Sequence, residues 1–247
     1  MATKSKIEWT EQTWNPVVGC TKVSPGCKFC YAEVLSKRLK AMGVTGYEDG
    51  FSTIKLMEER LEQPLKRKKP TLYFVNSMSD LFHEKVPFSF IDRVMKTIEL
   101  SPQHAFQILT KRAERMRKYF SKRTVPTNAW IGVSVEDKEY GKPRIAELRK
   151  IDAKTRFLSI EPLLEDLGKL NLKGIHWVIV GGESGAKARP MSEKWVLKIK
   201  DQCEYYKSDF FFKQWGSWGE DGVKRSKKAN GRQLQGKTWN QIPVISV

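Results

Sequence analysis

The chain alternates short apolar runs with amphipathic segments. Apolar runs of strand length occupy residues 71–77, 105–111, 129–135, 155–162 and 175–183. An imperfect run at 13–19 contains Pro16, which a central strand does not favour. A possible seventh strand covers 209–216. Because the runs are nearly continuous rather than alternating, they predict parallel strands that are buried on both faces of a sheet.

Helical spacing of apolar residues follows most of these runs. The segment after Cys30 places Tyr31, Val34, Leu35, Leu39 and Met42 on one face and is expected to end at Gly43. Further helices are predicted to begin near Pro87, to cover 112–120, to run through about Lys150, and to contain Cys203.

Six or seven strand–helix units predict an α/β fold, namely an incomplete (β/α)6-type TIM-like barrel of parallel strands with a C-terminal extension. A doubly wound open sheet is the alternative. We expect residues 1–208 to form the partial barrel and residues 209–247 to form a strand and a basic, aromatic extension packed on it. In both folds the chemistry belongs at the carboxyl ends of the strands.

Composition narrows the range of partners. The 247 residues carry a formal net charge of +17 and a sequence pI near 9.7, which favours a polyanion such as nucleic acid; a solvated lysine-rich surface is the other interpretation. No apolar stretch reaches eighteen residues, so no membrane span is expected. The first residues lack an apolar signal core, which predicts a cytoplasmic protein.

Three of the four cysteines lie within eleven residues, in the spacing C-x6-C-x2-C at Cys20, Cys27 and Cys30. Three thiolates can hold zinc together with a histidine, or three irons of a 4Fe–4S cluster whose fourth iron stays open. No histidine is close in sequence, and of the three in the chain only His83 follows a predicted strand, which favours the cluster. Cys203 has helical spacing with apolar neighbours and is expected to be a buried, small apolar residue.

The segment "CKFCY", with Phe29 before the third cysteine, resembles the radical S-adenosylmethionine (radical SAM) enzymes. Six residues lie between the first two cysteines, where the usual spacing in these enzymes has three. Together with "NSMSDLFH", "LTKR", "GVSVE", "SIEPLL", "GGESG" and "FFKQWG", this resembles a phage-associated, three-cysteine branch of that superfamily. The resemblance implies that S-adenosylmethionine chelates the open iron, that one electron breaks its sulfur–carbon bond, and that a 5′-deoxyadenosyl radical takes a hydrogen from the substrate.

The resemblance also assigns residues at the strand ends to S-adenosylmethionine. Phe29 lies at the cofactor; Asn76, Ser77, Ser79 and Asp80 are candidates for the methionine ammonium group, although a turn cap would explain them equally. Lys111 and Arg112 are candidates for the carboxylate, unless they are solvated charges on a helix. Ser134 and Glu136 are candidates for the ribose, with a helix cap as the competing interpretation.

Substrate contacts are expected from Glu161, Glu183, Arg189, Lys213 and Trp215. Contact with adenine or anchoring of the neighbouring loop would also explain Glu161, and a plain strand-to-helix turn would explain the segment with Glu183 and Arg189. The mixture of aromatic and cationic residues near the C-terminus suits stacking and phosphate contacts, although the tryptophans could instead cap the barrel. We therefore expect a radical SAM enzyme that modifies a nucleic-acid base, most simply DNA, for example by isomerising a modified thymine. It would need an electron donor such as flavodoxin or ferredoxin, and would work in the host cytoplasm if a phage encodes it. A zinc-stabilised nucleic-acid-binding protein without catalysis, and a radical SAM enzyme for a peptide or small metabolite, stay open as alternatives.

Overall fold

The structure, a computed structural model, describes residues 3–5 and 7–244. Its centre is one sheet of eight strands in the order β1-β2-β5-β6-β7-β8-β9-β10. These strands are β1 (Thr3–Lys4), β2 (Gln12–Trp14), β5 (Leu72–Val75), β6 (Ala105–Thr110), β7 (Ala129–Ser134), β8 (Thr155–Ile160), β9 (Trp177–Gly181) and β10 (Asp209–Gln214). Within this sheet all neighbouring strands pair parallel except β1, which is antiparallel to β2. A separate antiparallel pair joins β3 (Val17–Val18) to β4 (Lys55–Leu56).

Helices connect most of the parallel strands. They are α1 (Tyr31–Ala41), α2 (Phe88–Glu99), α3 (Ala113–Phe120), α4 (Lys138–Arg149), α5 (Glu193–Tyr206) and the short α6 (Lys227–Asn230). Three 3-10 turns cover Pro25–Cys27, Glu58–Arg60 and Pro64–Lys66. Helix α4 begins where the sequence supplies a cap, since the Asp137 carboxylate accepts a hydrogen bond from the Tyr140 N–H at 2.8 Å.

The strand order confirms the predicted incomplete barrel. The seven parallel strands follow one another in space as they do along the chain, so the sheet curls in one direction. A doubly wound sheet would reverse its order at a switch point, and the alternative fold is therefore wrong. The possible strand at 209–216 is the seventh parallel strand, in register with β9 from Asp209 and Trp177 onward.

The predicted first strand at 13–19 is divided in two. Residues Gln12–Trp14 join the main sheet beside β5, whereas Val17–Val18 leave it and pair with Lys55–Leu56. Pro16 lies between the two pieces and has no N–H for a sheet ladder, which explains the break. The cysteine-bearing segment begins directly after the second piece.

Aromatic side chains fill the concave face of the sheet. Trp177 is fully buried, and its ring centroid lies 5.7–6.0 Å from those of its four aromatic neighbours Trp9, Trp130, Phe157 and Phe211. Gly132 makes room for one of them, since a Cβ there would lie 2.5 Å from the Phe157 ring. The amino-terminal half of the barrel is thus closed by packed rings, and open space for chemistry is left to the other end.

Helix α1 turns the face that the sequence marks as apolar toward solvent. Tyr31, Val34, Leu35 and Met42 are exposed, while Ala32 and Ser36 are buried. The predicted helix is thus present, and of the residues that share its apolar face only Leu39 is half-buried. Small side chains on the opposite face let the helix backbone approach its neighbours closely.

The C-terminal segment covers the free edge of β10. The Phe212 N–H donates to the Trp239 carbonyl at 3.0 Å, and Phe211 forms an antiparallel bridge with Asn240. The Trp177 indole donates to the Gln241 carbonyl at 2.8 Å. The division of the chain at residues 208 and 209 stays a prediction.

Among the helices of the described residues, none combines the length and the apolar character that crossing a bilayer would need.

Candidate functional site at the carboxyl ends of the strands

The three clustered cysteines lie in one loop between β3 and α1. Cys20 follows the bend at Gly19, Cys27 ends the 3-10 turn Pro25–Cys27, and Cys30 is the residue before the first turn of α1. All three are free thiols and half-buried. A Cβ at Gly19 would lie 2.0 Å from the Thr53 carbonyl oxygen, and the φ of this residue is +85°, so only glycine allows this bend. We call residues 20–30 the cysteine loop.

Arg112 holds the start of the cysteine loop from the end of β6. Its Nη2 donates to the carbonyl and the hydroxyl of Thr21 at 3.2 and 3.1 Å, and its Nη1 lies 3.8 Å from the Cys20 sulfur. Nη1 also donates to the Asp80 carboxylate at 3.0 Å. The Nε–H donates to both carboxylate oxygens of Glu84, each at 3.0 Å. All five N–H groups are used, so the expected pairing of Arg112 with a methionine carboxylate is not supported.

Asp80 is buried beneath the same loop and is equally occupied. Its two oxygens accept four hydrogen bonds, from the Thr110 hydroxyl, the Arg112 guanidinium and the N–H groups of Phe82 and Lys111. This matches the accepting capacity of a carboxylate, which leaves no lone pair for the ammonium group predicted from sequence. Asp80 instead orients Arg112.

Glu136 supports the middle of the cysteine loop. Its side chain is fully buried; it accepts the Ser24 hydroxyl, binds the Arg144 guanidinium at 2.5 Å and lies 3.7 Å from the Lys111 ammonium. A Cβ on Gly26 would lie 2.8 Å from its Oε1. The predicted ribose contact is not supported, because the carboxylate is enclosed by the loop and two cations. Ser134 lies two residues earlier, at the end of β7, and its carbonyl accepts from Arg144 at 3.0 Å.

Arg189 holds the end of the cysteine loop. Its guanidinium binds Glu183 at 2.5 and 2.8 Å, donates to the Pro25 carbonyl at 3.1 Å and lies 5.5 Å from the centre of the Phe29 ring. Glu183 is buried and follows β9, so this pair ties a third strand end to the loop. Both residues were expected to touch substrate; in the structure they position the cysteines.

Glu161 and Lys213 form a separate ion pair beside this group. The Lys213 ammonium lies 2.8 and 2.9 Å from the two Glu161 oxygens, and the Gln214 amide donates to one of them at 3.2 Å. Both side chains of the pair are largely but not fully buried, with 20% and 14% of their surface exposed. The carboxylate that the sequence places at the fifth strand end therefore has the cationic partner that its burial requires.

Trp215 does not offer a stacking surface. It is buried, its indole donates to the Gln233 carbonyl at 2.7 Å, and its ring lies 5.0 Å from that of Phe212. The interpretation of this tryptophan as a packed cap fits the structure, and its assignment as a substrate contact stays a prediction.

The residues after β5 meet the chain just before the cysteine loop. The side-chain Oδ1 of Asn76 accepts the Val17 N–H at 3.3 Å, and the Ser79 hydroxyl donates to the Val17 carbonyl at 2.7 Å. Ser77 donates to the Asn15 side chain at 3.1 Å. Asn76 is buried with a φ of +60°, and its Nδ2 has no partner among the described residues. This open atom is a donor, so it suits a carboxylate or carbonyl better than the ammonium group predicted for it.

His83 is a supporting residue that sequence reasoning placed at a strand end but did not assign. Its Nδ1 accepts the Lys85 N–H at 3.1 Å, so its Nε2 carries the proton and donates to the Thr21 hydroxyl at 2.8 Å. Burial is the main cause that lowers the pKa of His83, which keeps the ring neutral near pH 7. The nitrogen that would complete a zinc site is therefore engaged by the loop.

The described residues contain no group of three His, Cys, Asp or Glu side chains that converge as ligands of a single metal ion. Tetrahedral zinc with bonds of about 2.3 Å would draw thiolates to about 3.8 Å from one another. Cysteines of a 4Fe–4S cluster bind different irons and lie farther apart. Three free thiols on one braced loop, each able to bind a different iron, are compatible with such a cluster.

Burial and, after it, the nearby Asp80 carboxylate raise the pKa of the Cys20 thiol to about 12, although Arg112 acts in the opposite direction. A thiolate at this position therefore needs more positive charge than Arg112 provides. Iron bound at the sulfur would supply it, because metal ligation deprotonates a cysteine.

Comparisons with known proteins agree with this fold. A single-residue mutant of spore photoproduct lyase superposes with a TM-score of 0.50 and 15% identity over 93% of this chain and 72% of that chain. A second mutant superposes with a TM-score of 0.48 and 15% identity over 74% of this chain and 58% of that chain. The enzyme "complexed with dinucleoside spore photoproduct" superposes with a TM-score of 0.49 and 14% identity over 82% of this chain and 63% of that chain. In these last two comparisons the matched part is less than two thirds of the lyase chain.

No curated protein matches the chain. The sequence profile of one family, described as "Protein of unknown function (DUF5131)", matches residues 4–243. The chain therefore belongs to the DUF5131 family and has an incomplete TIM-like barrel fold similar to that of spore photoproduct lyase.

Proposed function

We propose that the chain is a radical SAM enzyme that binds a 4Fe–4S cluster through Cys20, Cys27 and Cys30 and acts on a nucleic-acid base. The observation that supports this most is the braced cysteine loop. Three residues from three different strand ends, Arg112, Glu136 and Arg189, hold one loop that carries three free, half-buried thiols. A loop supported in this way keeps its ligands at fixed positions, as a cluster with an open iron requires.

When bound, the cluster would supply one electron to S-adenosylmethionine at its open iron and so generate a 5′-deoxyadenosyl radical. The protein's part is to hold the cofactor, to exclude water and to present the substrate. The aromatic residues around Trp177 close the other end of the barrel, so that substrate must enter at the strand ends that carry the cysteine loop.

Four of the predicted cofactor contacts are still candidates. Asn76 offers a buried, unpartnered amide donor, and Ser77, Ser134 and Lys111 lie at the ends of neighbouring strands. We assign the carboxylate of S-adenosylmethionine to Asn76 and Lys111, since both present donors, and the ribose to Ser134. Ser79, which already donates to Val17, supports the loop instead.

The nucleic-acid substrate is proposed from the charge of the chain. Structures of spore photoproduct lyase include one with bound AdoMet and dinucleoside spore photoproduct. In this chain the net charge is +17, and the exposed cations include Lys28 in the cysteine loop and Lys187 two residues before Arg189. We propose that the polymer is DNA and that the reaction modifies a base, for example by isomerising a modified thymine. We propose that the enzyme works in the cytoplasm. A base in a duplex would have to leave the stack to reach the barrel.

The reaction class is tested by anaerobic reconstitution with iron and sulfide, followed by dithionite and S-adenosylmethionine. We expect release of 5′-deoxyadenosine, detected by chromatography. Cys27→Ala removes one of the three cluster ligands, so product should fall to the level seen without protein. Cys203→Ala is the matched control, because this cysteine is buried in helix α5 away from the loop and should retain the activity.

Stoichiometric zinc without iron and sulfide after anaerobic purification would contradict the proposed reaction class. So would equal loss of 5′-deoxyadenosine in the Cys27→Ala and Cys203→Ala proteins, which would indicate damage to the fold. Mass spectrometry of nucleosides from treated phage DNA would identify the product.

The nucleic-acid proposal is tested by the salt dependence of binding to a DNA duplex, measured by fluorescence anisotropy. We expect the binding constant to fall steeply with salt, and Lys28→Ala and Lys187→Ala each to reduce the logarithmic slope by about 0.9, the contribution of one phosphate contact. Lys173→Ala is the control, since this exposed lysine precedes β9 at the opposite end of the sheet. Affinity that does not change with salt would leave a peptide or metabolite as substrate.

A further inference from the structure

Helix α1 carries an exposed apolar stripe that begins beside the cysteine loop. Tyr31, Val34, Leu35 and Met42 are 59%, 55%, 39% and 73% exposed. Their spacing of three, one and seven residues places them on one face of the helix. We call these four residues the α1 stripe. Water-exposed aliphatic groups in a continuous row indicate a surface that another molecule covers.

Unpaired cations accompany the α1 stripe. Lys37, Arg38 and Lys40 are exposed, and within residues 3–5 and 7–244 none of them takes part in an ion pair. Arg38 falls between Leu35 and Met42 on the same face. The surface is therefore apolar with a positive margin, which complements an acidic protein rather than a neutral or basic one.

The position of the α1 stripe relates it to the proposed cluster. Cys30 immediately precedes the helix, and at 1.5 Å per residue Leu35 lies about 7.5 Å further along the axis. A molecule seated on the stripe is thus close to a cluster ligand. The stripe begins at the strand ends, where the Tyr31 hydroxyl donates to the Ser77 carbonyl at 2.5 Å, and its three aliphatic members follow further along the helix axis.

We propose that the α1 stripe and its cations form the docking surface for a small acidic one-electron carrier protein, which reduces the cluster. This inference rests on the proposed function, since it assumes a cluster at the cysteine loop. Val34, Leu35 and Met42 do not stack on bases, and interfaces with nucleic acid are more polar than this surface. The fourth member, Tyr31, is held by the hydrogen bond from its hydroxyl to the Ser77 carbonyl. Methionine and arginine are enriched in protein–protein interfaces, which favours a protein partner.

The test compares reduction of the reconstituted cluster by reduced flavodoxin with reduction by dithionite, both followed by loss of visible absorbance. Leu35→Asp places a negative charge in the stripe and should slow reduction by flavodoxin at least about tenfold, as is typical for a central interface residue. Reduction by dithionite should change less than about twofold, because a small ion needs no docking surface. Arg38→Ala should weaken binding of oxidised flavodoxin, measured by calorimetry, and reduce its salt dependence.

Leu100→Asp is the matched control, since it makes the same change at a residue 55% exposed at the end of α2. It should leave both rates unchanged. Flavodoxin reducing the wild-type and Leu35→Asp proteins at equal rates overturns the proposal. Loss of DNA affinity in Leu35→Asp with unchanged flavodoxin kinetics would assign the stripe to the substrate, and a wild-type dimer that Leu35→Asp dissociates in ultracentrifugation would assign it to a second copy. Either result also overturns it.

Failure of the proposed function gives a different result. In that case the wild-type protein would release no 5′-deoxyadenosine with either reductant, dithionite or flavodoxin. The carrier experiment is therefore interpreted only on protein that cleaves S-adenosylmethionine with dithionite.

Discussion

Arg112→Met is expected to lower the free energy of unfolding by about 3–5 kcal/mol, the range for breaking a buried ion pair from one side. The variant leaves Asp80 buried without its cation and removes two hydrogen bonds from Thr21. The cysteine loop then loses its first brace, so iron retained after reconstitution should also fall. Urea denaturation and iron analysis measure the two effects.

Arg117→Met provides the comparison, because Arg117 lies on helix α3, five residues after Arg112, but its side chain is 43% exposed and pairs with Glu147 near the surface. Such exposed pairs contribute about 0–1 kcal/mol. If the two variants lose the same stability and iron, Arg112 is an ordinary surface charge and the proposed support of the cysteine loop is wrong.

Trp177→Ala should be comparably destabilising, by about 3–5 kcal/mol, because it opens a large cavity among the rings on the concave face of the barrel. The substitution removes contacts to four aromatic residues and the indole hydrogen bond to Gln241. In a chain of this length the melting temperature should fall by roughly 6–20 °C.

Tyr205→Ala is the reference for Trp177→Ala, since Tyr205 is aromatic but 80% exposed on α5. Its loss should stay within about 0.5 kcal/mol. Differential scanning calorimetry of the two variants tests the assignment. A Trp177→Ala protein that melts within one or two degrees of wild type would show that the ring cluster contributes little to the fold.

Much of the barrel could be predicted because buried parallel strands leave a strong local signal. The runs at 71–77, 105–111, 129–135, 155–162 and 175–183 contain nearly all of the corresponding strands. The break at Pro16 was visible as a weak point, but the partner of Val17–Val18 was not, since it lies in a short strand near residue 55. Helix α1 shows the limit of periodicity, which identifies an apolar face but does not say whether that face is covered.

The site was predicted less completely than the fold. Spacing alone picked out Cys20, Cys27 and Cys30, and the strand ends supplied Glu136 and Arg189. The roles of Glu136 and Arg189 could not be predicted from the sequence, because the role of a charged side chain depends on which group it contacts. The carboxylate that orients Arg112 comes from Asp80, 32 residues earlier, and Arg189 reaches a carbonyl 164 residues away. Such pairings depend on how the curled sheet brings the ends of different strands together.

The last residues of the described chain have a consequence for handling the protein. Because residues 239–241 bond to β10, the outermost parallel strand does not present a bare row of amides and carbonyls. A bare row of this kind recruits strands from other molecules and leads to aggregation. Solubility of the barrel thus depends on a segment that holds none of the cysteines, and an affinity tag is better attached at the opposite terminus.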